Sequence, residues 1–250
     1  FLYAMYFRMN MDRSLVLAHG LALFNGPSHA ILRGSPDNTL QHQAVMVLDD
    51  RSNMCTGIVL SKTVILTAAH CVTNATAWRV HWRDADNRPV LAEPSSIKIH
   101  PQFNPAALKT RSRIVDLAIV RLKEPLPDIF VPVPLTQIES FTIGTAMTIG
   151  GYGRTEENKP KTIGKFLTAP VQVGEPYGPS KNILWLEDPS KAGAGGCHGD
   201  SGGPIIAGGE LVAVLFWTSG EGRSQCGAFT QGILIAPHRD WILNAAGLSP

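Results

Sequence analysis

Neither sign of charge predominates in this 250-residue chain: 22 Lys and Arg stand against 20 Asp and Glu, a formal net charge of +2. Without a basic excess or a run of clustered Lys and Arg there is no electrostatic footprint for nucleic acid. Long apolar runs are missing too. The mostly apolar stretch Leu15 to Phe24 is ten residues, short of the ~20 that a membrane-spanning helix needs. No set of His and Cys has the spacing of a zinc site, so neither a metal nor another cofactor is expected. Cysteine is scarce, at four, and four cysteines leave three pairings open.

What is present is glycine and proline, 24 and 18 residues scattered between short apolar runs such as Ile58-Val59-Leu60, Ala118-Ile119-Val120 and Leu211 to Phe216. Short runs separated by turn residues read as an all-β barrel or sandwich. One hexapeptide narrows the function further: Gly199-Asp200-Ser201-Gly202-Gly203-Pro204. Glycines around a serine permit a tight turn, expose the hydroxyl and leave amide N–H groups free to meet a developing oxyanion. A base and an orienting carboxylate stand upstream, His70 in Thr67-Ala68-Ala69-His70-Cys71 and Asp116 in Asp116-Leu117-Ala118-Ile119-Val120. His, Asp, Ser is one of the chain orders that build a nucleophilic triad.

With these motifs go Cys55 sixteen residues before Cys71, His100-Pro101 ahead of the aspartate, Gly150-Gly151-Tyr152-Gly153, Cys197 four residues before the serine, and Trp217 in a strand-like run. Together they resemble the chymotrypsin-type (trypsin-like) serine endopeptidases over residues 31–250. The resemblance implies two packed six-stranded antiparallel β-barrels with a short C-terminal helix: an N-terminal barrel at about 31–135 carrying His70 and Asp116, and a C-terminal barrel from about 136 carrying Ser201. It implies disulfides Cys55 with Cys71 and Cys197 with Cys226. It implies that Ser201 attacks, His70 accepts its proton, Asp116 orients His70, and the N–H groups of Gly199 and Ser201 bind the oxyanion. Residues 1–30 read as a leader with Leu15 to Phe24 as its core. Ile31-Leu32-Arg33-Gly34 resembles the mature start of such proteases, whose free α-amine pairs with the aspartate before the nucleophile, here Asp200. Ser28-His29-Ala30 has the small residues that signal peptidase reads, so leader removal is expected to create the Ile31 terminus. A secreted monomer acting on peptide or protein, with no nucleic-acid partner and no membrane association after leader removal, is the implied setting.

Specificity departs from trypsin. Gly195 stands where the resemblance calls for the aspartate that receives Lys or Arg, next to Gly196, with Thr218 and Gly232 as the implied pocket walls and the backbone of Phe216, Trp217 and Thr218 as the strand that pairs with substrate. Small to medium apolar P1 residues are expected. His198 between Cys197 and Gly199 supports an alternative, an acidic P1 residue. Phe216 replaces the serine whose hydroxyl supports the aspartate in the family, which keeps a second class of function in view: a weak or inactive homologue that binds peptide or protein. Asp84, Asp86 and Asn87 read as a solvated polar turn rather than a calcium site, and Asn74-Ala75-Thr76 is a glycosylation sequon.

Overall fold

The computed structural model describes residues 31–73, 75–110 and 114–249, apart from the side chains of 108–110 and 160. The expected leader, with Leu15 to Phe24 and Ser28-His29-Ala30, and Asn74 of the sequon lie outside the described residues.

The chain folds as β-structure in two halves. The first holds β1 (Ala44–Asp49), β2 (Met54–Ser61), β3 (Val64–Thr67), β4 (Trp78–Arg83), β5 (Pro89–Ala92), β6 (Pro94–Ile99) and β7 (Ala118–Leu122). They pair antiparallel in the order β5-β4-β1-β2-β3-β7-β6. This is a seven-stranded sheet where six strands in a closed barrel were expected, and the reason is local. The extended run from Pro89 to Ile99 pairs with β4 up to Ala92 and with β7 from Pro94, so one run supplies both edges of the sheet. Proline at the head of each piece suits an edge, because it has no N–H to give a further neighbour.

The second half holds β8 (Ala146–Gly151), β9 (Leu167–Gly174), β10 (Ile183–Glu187), β11 (Pro204–Ala207), β12 (Glu210–Ser219) and β13 (Phe229–Leu234), closed as β10-β13-β12-β11-β8-β9. Its continuous apolar strands face two packed layers: Leu211 to Phe216 are all buried, and Val64 to Thr67 are likewise buried in the first half. Helix α1 (Asn38–Gln41) is capped by Asp37, whose carboxylate accepts from the amides of Thr39 and Leu40. Helix α2 is Pro105–Thr110, and α3 (Arg239–Ala246) is the expected terminal helix, begun by a 3-10 turn at Ala236–His238 and stopped by Gly247 at φ 64°.

The two ends of the described chain cross between the halves. Leu32 forms a two-way backbone bridge with Gly195 (2.9 and 3.3 Å) and Ser35 one with Thr168 (2.8 and 2.9 Å), so residues 31–35 pair with the C-terminal half rather than the N-terminal one. Helix α3 packs on β7 instead, where Arg121 Nη2 donates to the Ala246 carbonyl at 2.7 Å. Core residues of both halves meet in one cluster that joins Ile58, Leu66 and Leu117 with Val214, Ile233 and Ile242.

Candidate active site

His70 lies on a 3-10 turn, Ala69–Val72, directly after β3. Asp116 precedes β7 and is fully buried. Because β3 and β7 are neighbours, paired from Thr67 with Ala118 to Val64 with Arg121, their ends meet. Asp116 Oδ1 accepts from the His70 amide at 2.8 Å, and Oδ2 lies 2.6 Å from His70 Nδ1. A carboxylate there holds the proton on Nδ1 and leaves Nε2 to act as an acceptor. Burial pulls the imidazole pKa down, but the charge and hydrogen bond of Asp116 outweigh it, so the net shift is upward from 6.5. The segment is braced at two further points: Asn182 Nδ2 donates to the Ile114 carbonyl at 2.6 Å, and the His100 amide to that of Leu117 at 2.9 Å.

Ser201 sits between Cys197 and Pro204 on the loop that leads into β11. Its carbonyl accepts from the Thr56 amide at 2.8 Å, which ties the loop to β2. Gly202 has φ 83°, and a Cβ there would stand 2.1 Å from the Thr56 carbonyl oxygen, so only glycine fits between the serine and β2. Two clefts of about 470 and 440 Å³ share His70, His198 and Ser201 as walls, and Gly199 lines the second. Among the described residues no hydrogen bond joins Ser201 Oγ to His70 Nε2; Nε2 lies 3.7 Å from Cys71 Sγ. Such bonds are often long before substrate arrives. The Arg154 amide donates to the His198 carbonyl at 2.8 Å, and since C=O and N–H point opposite ways across a trans peptide, the Gly199 N–H is turned away from Arg154.

Asp200 is fully buried, with Oδ1 accepting from the Gly153 amide and Oδ2 from the Cys197 amide, both at 2.8 Å. Burial raises its pKa to about 7 against the opposing pull of those two donors. Ile31 is also fully buried, in the cluster of Met147, Ile149 and Leu215, and takes φ 48°, an unusual value for a β-branched residue. Both expected disulfides are formed, Cys55–Cys71 beside His70 and Cys197–Cys226 beside Ser201.

Residues 31–242 match the Trypsin family. The chain belongs to that family of serine proteases. It is 28% identical over 204 residues to Trypsin eta of Drosophila melanogaster, covering 75% of each chain, and 24% identical to a trypsin of Saccharopolyspora erythraea over 77% of this chain and 88% of that one. In fold it is similar to neuropsin, a serine protease expressed in the limbic system of mouse brain, with TM-score 0.69 and 21% identity over 84% of this chain and 97% of the other.

Against the pocket expected of a trypsin-family chain, three positions need correction. Gly195 and Gly196 are buried and do not line the cleft beside Ser201. A Cβ on Gly196 would meet Thr218 Cγ2 at 2.9 Å, Leu215 Cδ1 at 3.0 Å and Thr230 Oγ1 at 3.4 Å, so the space above it is already filled. Thr230 Oγ1 also accepts from the Gly196 amide at 2.9 Å. Gly232 is no wall: a Cβ there would collide with Ile205 Cδ1 and Ala213 Cβ inside the barrel. Register explains the error. Thr218 stands opposite Thr230 and Leu215 opposite Gly232, with a bulge between, so it is Thr230 that faces Thr218. His198, Phe216, Trp217 and Thr218 do line the cleft, and its rim adds Ser224 and Gln225. Glu157 holds that rim through Ser224 Oγ at 2.5 Å and the Gln225 amide at 2.6 Å.

Arg88 bonds to Asp84 at 2.9 Å and Asp86 at 2.7 Å, so a side-chain cation already serves the acidic turn. The grouping of Cys55, His70 and Cys71 brings three donor atoms within 4.8 Å, but the two sulfurs are bonded to each other.

Proposed function

We propose that this trypsin-family chain is a secreted serine endopeptidase in which Ser201 attacks the scissile carbonyl and His70 takes its proton, then returns a proton to the leaving amine. Asp116 stabilises the imidazolium, the N–H groups of Gly199 and Ser201 receive the oxyanion, and water hydrolyses the acyl-enzyme by the same route. The observation that carries this reading is the Asp116–His70 pair at 2.6 Å with His70 and Ser201 on common cleft walls. Reaction of Ser201 with a peptide phosphonate tests it. Loss of labelling and of peptide hydrolysis in Ser201→Ala is expected, and an unlabelled wild-type protein would overturn the reading.

The preferred P1 residue is small and apolar. Crowding of Gly196 by Thr218, Leu215 and Thr230 supports a shallow pocket, narrower than the sequence suggested. Glycine at 195 supplies no carboxylate for Lys or Arg. The acidic alternative is disfavoured by Glu157, whose carboxylate accepts from Ser224 and Gln225 and so brings negative charge next to two residues that line the cleft. A P1-scanning peptide library discriminates, with Ala and Val favoured over Glu, Arg and Phe.

Cleavage before Ile31 is the activating step in this reading. Support comes from a buried Asp200 with two amide donors and no cation partner among the described residues, and from the Leu32–Gly195 bridge that carries Ile31 into the core of the same half. The family match also begins at residue 31. Signal peptidase reading Ser28-His29-Ala30 is the proposed agent, and N-terminal sequencing of secreted protein checks it. Phe216 favours a second reading, a weak or inactive peptide-binding homologue, which the phosphonate experiment separates from the first.

A further inference from the structure

Thr56 is a polar residue at the centre of a core strand, immediately after Cys55, and none of its surface is exposed. Burying a hydroxyl and two peptide groups is costly unless all are paired. All are. The Thr56 amide donates to the Ser201 carbonyl at 2.8 Å, and its carbonyl accepts from Thr67 Oγ1 at 2.7 Å. Its Oγ1 donates to the Gly199 carbonyl at 3.0 Å and accepts from the Tyr152 amide at 3.0 Å. One residue of the N-terminal sheet therefore grips the nucleophile loop at two carbonyls and the end of β8 at one amide.

The grip at Gly199 matters because of the conformation there. Gly199 has φ 98°, and a glycine leaves such a conformation at little steric cost. Two peptide planes flank it. Arg154 holds the first through the His198 carbonyl; the second is held at both ends, by the Thr56 hydroxyl on the Gly199 carbonyl at 3.0 Å and by the Asp200 amide, which donates to the Cys197 carbonyl at 3.1 Å. With both planes held, both backbone torsions of Gly199 are determined, and so is the direction of its N–H. A side chain without the hydroxyl would leave the second plane to the longer Asp200 amide bond alone and the Tyr152 amide buried with no acceptor in its place.

We propose that Thr56 is a positioning residue for the oxyanion hole, its hydroxyl clamping the Gly199–Asp200 peptide so that the Gly199 N–H stays aimed at the substrate oxygen. The inference rests on the endopeptidase reading above. It is distinct from activation at Ile31, which would act through the Asp200 carboxylate rather than the Gly199 carbonyl.

Thr56→Val keeps the shape and removes the hydroxyl, whereas Thr56→Ser keeps the hydroxyl. Both are made in protein whose N-terminus is Ile31, and labelling of wild-type Ser201 by a peptide phosphonate is established first. On a small-P1 peptide substrate, Thr56→Val is expected to lower kcat roughly 10- to 100-fold with KM within about twofold, an effect below that of deleting an oxyanion donor outright. Affinity for a peptide trifluoromethyl ketone, which forms the tetrahedral adduct, should fall in proportion, while that for the matching unreactive peptide amide should not change. Thr56→Ser should stay within about threefold of wild type. Equal kcat in both variants and wild type, or parallel loss of ketone and amide binding, would overturn the proposal. If thermal melting finds Thr56→Val unfolded, Thr56→Ala is read on the same scale, and failure of both to fold overturns a role confined to positioning. Absence of labelling in the wild type would instead sink the endopeptidase reading itself.

Discussion

Asp116 accepts from both the backbone and the ring of His70, and that double attachment sets the first expectations. Because Asp116 raises the imidazole pKa, the neutral base is lost on acidification through a midpoint above 6.5, and kcat/KM should fall there. Asp116→Asn should move that limb to lower pH, and a pH–rate profile checks both. Phe216 stands where the family resemblance calls for a serine hydroxyl to support this carboxylate. Phe216→Ser is expected to raise kcat about fivefold, the value of one hydrogen bond near 1 kcal/mol. The same change removes a buried ring from the cluster shared by both halves, so stability should drop by ~3 kcal/mol in denaturant melts. His70 and Asp116, which the fold brings together, and Ser201 beside them were legible as candidates in the sequence because nucleophilic catalysis restricts the residue types and short motifs that can serve it. Thr230 was not, since its role depends on standing opposite Thr218 across two strands. Thr230→Gly with Thr218→Gly should shift preference toward Leu and Phe at P1 by about 10- to 200-fold, read as the ratio of kcat/KM values.

At the level of elements, the segment Ile31 to Ser35 and the loop from Cys197 to Pro204 answer to each other through the Leu32–Gly195 bridge. Asp200 has a pKa of about 7, above its ordinary 3.8, so the folded chain with residues before Ile31 holds that proton more tightly than the unfolded chain does. Its stability from this group is full below about pH 4 and declines as pH rises toward 7. An α-ammonium at Ile31 would pair with the ionised carboxylate and remove the decline. Thermal melts of Ser201→Ala protein with and without the preceding residues should therefore diverge as pH is raised from 4.5 to 7.5, the uncleaved form losing more; parallel curves would contradict the pairing. Strands were readable from short apolar runs between glycines and prolines, and a short C-terminal helix from the family resemblance. The double service of Pro89 to Ile99 was not, because a strand's sequence records that it is extended and half-buried but not which neighbours it finds.

Across the whole molecule, each end of the described chain is fastened to the half it does not continue. Residues 31–35 pair into the C-terminal half, α3 packs on β7, and one apolar cluster runs through both halves. A single cooperative transition is expected in calorimetry, with calorimetric and van't Hoff enthalpies equal, whereas two resolved transitions would indicate independent halves. Ile242→Ala, a fully buried change in that shared cluster, should lower stability by about 2–5 kcal/mol without splitting the transition. The disulfides reinforce single halves: loops closed over separations of 16 and 29 residues are worth about 3–4 kcal/mol each by loop entropy.

Residue chemistry and short-range spacing were enough to recognise a β-rich chain of the trypsin type and to nominate a serine, a base and a carboxylate for its site, since these depend on residue identity and local pattern. Which residues wall the pocket, how residues 31–35 reach the C-terminal half and what holds the oxyanion loop were decided only on folding. Thr230 meets Gly196 through strand register, and Thr56 meets Gly199 across 143 positions of sequence. Such contacts follow from how two sheets are closed and packed against one another, and no periodicity within a single segment encodes them.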